Sequence, residues 1–177
     1  MKRITIKMLL AVLALSALAG FATTLALFTY NSNRVNTTFE YMLNVEEALL
    51  GSLQEMYAQG LQTEQATRNV VLNPGDKKAR ENYEAAHGKF RKAREEAAAL
   101  AKGEMKTELG KLTPLWDEGH ALKTEVMTLA ADGKGQDAIA LLNTKETKKW
   151  RETKDIIQKQ IDQQAKQSKA AYSAYQA

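Results

Sequence analysis

The sequence predicts an all-α protein: an antiparallel up-down-up-down four-helix bundle with long first and last helices, preceded by one transmembrane helix. Three observations support this prediction. The 177 residues include only two prolines, and the chain is rich in residues that favour helices. Apolar side chains recur at helical spacings between a small number of turn signals. A long uncharged run lies close to the amino terminus.

The uncharged run is long enough to cross a membrane. It extends from Met8 to Asn33, and a bilayer core of about 30 Å requires about 20 apolar helical residues. We therefore expect a transmembrane helix at residues 8–30. Lys2, Arg3 and Lys7 place residues 1–7 in the cytoplasm by the positive-inside rule.

A cleaved signal peptide is the alternative for this segment. Ala17-Leu18-Ala19, before Gly20, fits the small-residue pattern of a cleavage site. The apolar run continues past that point to Phe28, which favours an uncleaved helix. In both cases residues 31–177 are delivered out of the cytoplasm.

Composition excludes several classes of protein. The chain has no Cys, which removes disulfides, thiolate metal sites and cysteine nucleophiles. Three of the 25 basic residues precede the membrane helix, which leaves residues 31–177 with 22 basic and 21 acidic side chains. This balance is not that of a nucleic-acid-binding surface. No phosphate loop, nucleophile elbow or His–acid pair is present, so we expect no enzymatic activity.

Three breaks divide the outer part into four helices. Pro cannot continue a helix at Asn73-Pro74-Gly75-Asp76, where Gly75 is expected to take unusual backbone angles. A weaker break follows at 101–104. A third break, with two glycines, follows at 132–135. Pro114 either interrupts the third helix or marks its true start. The four predicted helices are Asn31–Asn73, Asp76–Lys102, Glu104–Asp132 and Gln136–Ala177.

Each helix has an apolar face that is expected to lie inside the bundle. Short connections make neighbouring helices antiparallel. The first face comprises Phe39, Met42, Leu49, Leu53, Met56, Gly60, Thr63, Thr67 and Val70. The second comprises Tyr83, Ala86, Phe90, Ala93, Ala97 and Leu100, and the third Leu112, Leu115, Gly119, Leu122, Val126 and Leu129. The fourth comprises Leu142, Trp150, Thr153, Ile157, Ile161, Gln164, Ser168, Ala171 and Tyr175.

The helix lengths predict a homodimer. At 1.5 Å per residue the first and last helices are roughly 60 Å long and the middle two roughly 40 Å. The membrane-proximal parts of the long helices therefore lack neighbours in one chain, and a second copy packed along the first helix would supply them. The last helix returns to the membrane without a cap. We expect a second transmembrane helix and a signalling part to follow it, the alternative being a frayed natural terminus.

These features together resemble a known family. The residues that carry the resemblance are the basic start, the single membrane helix, the segment from Gln65 to Pro74 (QATRNVVLNP) and the turn from Leu129 to Ala138 (LAADGKGQDA). The chain resembles the extracytoplasmic four-helix-bundle sensor domain of bacterial methyl-accepting chemotaxis proteins. The resemblance covers essentially the whole chain.

The resemblance implies a dimeric chemotaxis receptor of the bacterial inner membrane, with residues 31–177 in the periplasm. Such a receptor binds a small solute outside and changes the activity of a cytoplasmic kinase through a part that these residues do not contain. The same type of sensor precedes histidine kinases and cyclic-di-nucleotide enzymes, which is the second hypothesis. A soluble periplasmic chaperone or stress protein is the third, and it would follow from cleavage after Ala19.

The resemblance also suggests where a ligand binds. The apolar face of the first helix turns polar at Thr63 and Thr67, and receptors of this type often use an Arg from the end of that helix. Arg68 fits this role, and a bidentate grip on a carboxylate suits an organic or amino acid. The complete candidate set is Gln65, Arg68, Asn69, Tyr83, Asn143, Lys149 and Trp150.

Each candidate also has a purely structural interpretation. Arg68 and Lys149 fit solvated charges on helix flanks, while Tyr83 and Trp150 fit core positions. His87 and His120 have no companion at metal-ligand spacing, so we expect no metal site and no haem. No cofactor is expected.

Overall fold

The computed structural model describes the backbone of residues 5–176 and the side chains of residues 5–173. All regular structure in the described part is helical, which confirms the all-α class. Expected features at residues 1–4 and at Tyr175 lie outside the described side chains. The helices are α1 (Ile6–Tyr41), α2 (Ala48–Leu72), α3 (Lys77–Leu100), α4 (Gly103–Gly110), α5 (Leu112–Ala131), α6 (Gly135–Leu141) and α7 (Thr147–Gln176). Two π-helical segments, Met42–Glu47 and Leu142–Glu146, precede α2 and α7.

The chain forms two compact units, one ending at Met42 and the other beginning at Leu43. In the first unit, α1 has no buried residue, and its apolar stretch is long enough to cross a membrane by length and composition. Hydroxyl groups of this stretch bond within the helix: Thr23 Oγ1 donates to the Ala19 carbonyl at 2.8 Å and Thr29 Oγ1 to the Leu25 carbonyl at 2.9 Å. Such internal bonds are those that a helix in lipid requires.

In the second unit, α2 packs against α3, α5 and α7, and α5 packs against α6, α7 and the second π segment. The main apolar core lies between α2, α3, α4, α5 and α7, around Leu53, Phe90 and Trp116. Two smaller clusters lie beyond it. One is centred on Val70 and Tyr83, and the other on Val126 and Leu142.

The predicted breaks are confirmed. Asp76 caps α3, with its carboxylate accepting from the Ala79 N–H at 2.9 Å. After α5, Gly133 takes a φ of 76°, and the Lys134 N–H bonds to the Leu129 carbonyl at 2.9 Å. This pattern is a Schellman C-cap. The expectation for Gly75 is wrong, because in the described residues positive φ occurs only at Gly103 and Gly133.

The predicted third helix is divided in two. Helix α4 ends at Gly110, and α5 starts at Leu112. Pro114 then occupies the first turn of α5, where its missing N–H has no helical acceptor to lose. Pro114 therefore lies near the true start of a helix, which is the second of the two interpretations given for it above.

The predicted inner face agrees with burial on α2, agrees on α3 except at Leu100, which is half-buried, and deviates on α5. From Leu49 to Val70 every expected residue of α2 is buried. On α5, Leu115 and Leu122 are only half-buried, and the buried positions are those of Trp116 and Lys123. The helix is rotated because Trp116 stacks on Phe90, with ring centroids 3.4 Å apart, and because Lys123 pairs with buried carboxylates. Ala171 of α7 and Phe39 of α1 are exposed, as expected for the membrane-proximal parts of the long helices, which lack neighbours within one chain.

Candidate functional site

Three charged side chains from three different elements meet inside the second unit. Lys123 Nζ of α5 lies 2.8 Å from Glu64 Oε1 of α2 and 2.6 Å from Glu146 Oε1 of the second π segment. Each of these side chains is at most 2% exposed. We call Glu64, Lys123 and Glu146 the ionic cluster. Along α2, α5 and α7 it lies between the main core and the two smaller apolar clusters.

Helix geometry explains why Glu146 faces inward. Ala138, Leu142, Glu146 and Trp150 are spaced by four residues, and all four are buried. An α-helix advances about 100° per residue, so each four-residue step would drift by about 40° around the axis. A π-helical turn contains more residues and absorbs this drift. The π segment Leu142–Glu146 therefore keeps all four side chains on one face.

Arg68 connects the ionic cluster to the surface. Its guanidinium Nη2 lies 3.3 Å from Glu64 Oε2, and its side chain is 47% exposed whereas that of Glu64 is 2% exposed. Glu64 thus has a buried cation on one oxygen and a half-exposed cation on the other. This contact engages one nitrogen of the Arg68 guanidinium, which carries further N–H donors on its other nitrogens.

Burial dominates the electrostatics of Glu64. Loss of hydration raises the pKa of Glu64 from 4.5 to about 7; the Lys123 ammonium opposes this rise, and a hydrogen bond with Glu146 adds to it. The charge of the neighbouring Glu146 also disfavours ionisation of Glu64.

An aromatic and imidazole column runs beside the ionic cluster between α3 and α5. Tyr83 Oη is 2.6 Å from His120 Nδ1, and the rings of His120 and His87 stack with centroids 4.0 Å apart. Trp116 follows, 5.6 Å from His87, and Lys123 Nζ lies 5.6 Å from a Trp116 ring. Burial and the neighbouring His120 lower the pKa of His87 to about 4, so His87 is neutral near pH 7.

Two of the predicted site residues are buried in the packing of the unit. Tyr83 is 1% exposed and Trp150 is 6% exposed. The Trp150 indole lies directly against Gly60 of α2. Burial raises the pKa of Tyr83, so its hydroxyl is neutral and available as a hydrogen-bond donor.

Lys149 lies at the edge of the same layer. Its Nζ is 3.0 Å from both Glu118 and Glu152, and these hydrogen bonds raise the pKa of Lys149. A methyl group at Gly119 would touch the side chains of Lys149 and Lys123 at 3.7 and 3.8 Å. Lys149 therefore approaches the ionic cluster on α5 but is held by surface carboxylates.

The remaining candidates are on the surface. Gln65 and Asn69 of α2 and Asn143 of the second π segment are exposed. Within residues 5–173 no side-chain hydrogen bond or ion pair joins any of them to another candidate. The structure therefore connects Arg68 to the ionic cluster and places Tyr83 next to it, but it does not gather the seven predicted residues into one closed pocket.

The ionic cluster is not among the features predicted from the sequence. Charged residues at inward positions were the available signal: Glu64 follows Thr63 on the α2 face, Lys123 is four residues after Gly119, and Glu146 is four residues before Trp150. The signal is weak because charged residues on helices are usually solvated. Among the described residues no group of three or more His, Cys, Asp or Glu could hold a metal ion.

A shallow open groove lies nearby between α2 and α3. Its polar lining comes from Gln59, Gln62, Asn82 and Lys89.

Comparison of the chain with protein-family models, with curated proteins and with solved structures gave no match.

Proposed function

We propose that this chain is the sensor region of a transmembrane chemotaxis receptor. In this proposal α1 spans the bacterial inner membrane and the unit that begins at Leu43 lies in the periplasm. The observation that carries the proposal is an apolar helix of membrane-spanning length, with no buried residue, in the same chain as a self-contained helical unit. Three basic residues before the apolar stretch support the orientation.

The proposed architecture is an antiparallel four-helix bundle. Its helices are α2, α3, α4 continued by α5, and α6 continued by α7. Short connections at 73–76, 101–102 and 132–134 favour antiparallel neighbours, and contacts of α2 with α3, α5 and α7 support a common core. A homodimer along the first helix of the bundle is part of the proposal, and exposed Leu43 and Leu61 of that region support it.

The proposed ligand is a small organic or amino acid whose carboxylate binds Arg68. Arg68 is half exposed, and its pairing with Glu64 holds the guanidinium in a defined orientation. A pre-oriented guanidinium loses less side-chain entropy when it forms a bidentate pair with a carboxylate. Exposed Gln65 and Asn69 on the same helix offer amide groups to the rest of such a ligand.

Binding would be transmitted across the membrane to a cytoplasmic kinase. A histidine-kinase or cyclic-di-nucleotide output is compatible with the same sensor and is the second candidate. A soluble periplasmic bundle protein requires removal of the apolar helix and is the third.

A thermal-shift screen of the full chain in detergent micelles tests direct binding. The probes are acetate, malate, citrate, aspartate and benzoate. At a probe concentration of 100 times Kd, binding to the folded state stabilises it by about 2.7 kcal/mol. We expect a saturable rise in Tm with one of these acids, its loss in Arg68→Ala, and its retention in the control Arg91→Ala, which changes an exposed arginine of α3. A shift that Arg68→Ala leaves intact, or the absence of any shift, contradicts the proposed site.

A further inference from the structure

We propose that the ionic cluster is a proton-operated latch: Glu64 holds an exchangeable proton at neutral pH, and its loss loosens the second π segment from α5. The step is a transfer of one proton between solvent and a carboxylate oxygen, with no other bond changed. The proposal goes beyond the receptor function and does not depend on Arg68 binding a ligand.

The charge count of the buried groups carries the proposal. Two carboxylates surround one ammonium, at 2.8 and 2.6 Å, and none of the three side chains is more than 2% exposed. With both carboxylates ionised these three groups carry a net charge of −1 inside the unit. Burying an uncompensated charge is costly, and such groups take up a proton instead.

Arg68 does not remove this excess charge. Its guanidinium is the more distant partner of Glu64, at 3.3 Å, and is 47% exposed, so water and salt screen it. Arg68 also forms no ion pair with Glu146. In the described part of the chain, Lys123 is the one cation paired with Glu146.

Two titratable neighbours of the cluster, His87 and Tyr83, do not supply the proton. His87 on α3 has a pKa lowered to about 4 and stays neutral, and burial raises the pKa of Tyr83, which stays protonated. His120 on α5 is bonded to Tyr83, and Lys149 on α7 is paired with Glu118 and Glu152. From all elements packed around Glu64 the charged and titratable groups are Arg68, Tyr83, His87, His120, Lys123, Glu146 and Lys149.

The position of Glu146 converts proton loss into movement. Glu146 is the last residue of the second π segment, and Lys123 is its contact across to α5. π-helical turns are rare interruptions of α-helices and frequently occur at functional sites. Excess negative charge therefore acts on the least regular part of this face.

Infrared spectroscopy of the full chain in detergent micelles detects the proton directly. A protonated carboxyl group has a carbonyl stretch that a carboxylate or an imidazole lacks. Ordinary Asp and Glu ionise near pH 4, so we expect one carboxyl band that persists above pH 6 and disappears with a midpoint near pH 7. Absence of any such band in the unmodified chain overturns the proposal.

Variants assign the band to Glu64. We expect Glu64→Gln to abolish it, and Glu146→Gln to move its loss to a lower pH, because the variant removes a repulsive neighbour while burial continues to raise the pKa of Glu64. The control Glu118→Gln, at a surface carboxylate 58% exposed, keeps the band. A band unchanged in the double variant of Glu64 and Glu146 refutes the assignment. Helicity by circular dichroism shows which variants are folded.

Hydrogen exchange tests the movement in the unmodified chain, so it does not depend on any variant folding. With ionisation near pH 7 in the closed state and near 4.5 in the open one, the opening equilibrium rises about tenfold between pH 6 and pH 8. We expect amides of residues 142–146 to show this increase after correction for the intrinsic rate, while amides of the α3 interior do not. A corrected ratio near one, or an equal increase in α3, refutes the latch.

Discussion

Gly60 of α2 is the position where a single methyl group has the most direct structural consequence. A Cβ atom placed there would overlap the six-membered ring of Trp150, and that indole is buried between α2 and α7. On the same helix, Gly51 is exposed, and no heavy atom outside its own stretch of helix lies within 4 Å of where its methyl group would be. Gly60→Ala and Gly51→Ala therefore make the same chemical change in opposite surroundings.

Two opposing terms set the magnitude. Replacing an interior helical Gly by Ala favours the helix by about 1 kcal/mol. Forcing a methyl group into a filled core costs about 1–3 kcal/mol. We expect Gly51→Ala to raise the free energy of unfolding by up to about 1 kcal/mol and Gly60→Ala to lie about 1–3 kcal/mol below it.

Urea denaturation of the full chain in detergent micelles, followed by circular dichroism and tryptophan fluorescence, measures the difference. Trp150→Phe removes the overlapping ring atoms, so Gly60→Ala should cost less in that background than in the unmodified chain. The packing argument is refuted if Gly60→Ala is as stable as Gly51→Ala, or if Trp150→Phe makes the substitution no better tolerated.

Three further predictions concern the free energy of unfolding. Asp76→Ala removes the cap of α3 and should cost about 1 kcal/mol, whereas Asp76→Ser should retain most of it; thermal denaturation distinguishes the two. Tyr83→Phe breaks the bond to His120 and should cost about 1–2 kcal/mol, and equal stability in urea would argue against that bond. Because the pKa of Glu64 is raised in the folded state, its contribution is complete below pH 4.5 and is lost as the pH rises through about 7. Stability should therefore fall by at most about 3 kcal/mol across this window, and a profile that Glu64→Gln does not flatten would contradict the assignment.

Local chemistry made much of the fold predictable. The Pro and Asp of the 73–76 turn end one helix and cap the next, and Gly133 supplies the positive φ of a C-cap. Both effects act within a few residues and can be deduced from sequence. The inner face of α2 was also predictable, because its apolar and small residues follow one another at spacings of three and four residues without interruption from Leu49 to Val70.

Contacts between helices explain what was not predictable. Whether Leu115 or Trp116 is the buried residue of α5 depends on Phe90, the stacking partner of Trp116 on another helix. Glu146 faces inward because of a π segment, and no repeat in the sequence predicts that segment. A buried lysine between two carboxylates requires all three helices to be placed first. Arg68 was predicted as a ligand-binding residue from the resemblance to chemotaxis receptors. Its ion pair with Glu64 is visible only in the structure.

Membrane topology tests the central claim of an anchored sensor most directly. The chain has no Cys, so Glu95→Cys on the exposed face of α3 and Thr5→Cys before α1 each carry one reporter thiol. A membrane-impermeant maleimide is applied to intact spheroplasts and to lysed ones. We expect Glu95→Cys to react before lysis, Thr5→Cys to react only afterwards, and the uncleaved chain to remain in the membrane fraction. Protection of Glu95→Cys until lysis, or release of a soluble chain that begins at Gly20, would contradict that claim.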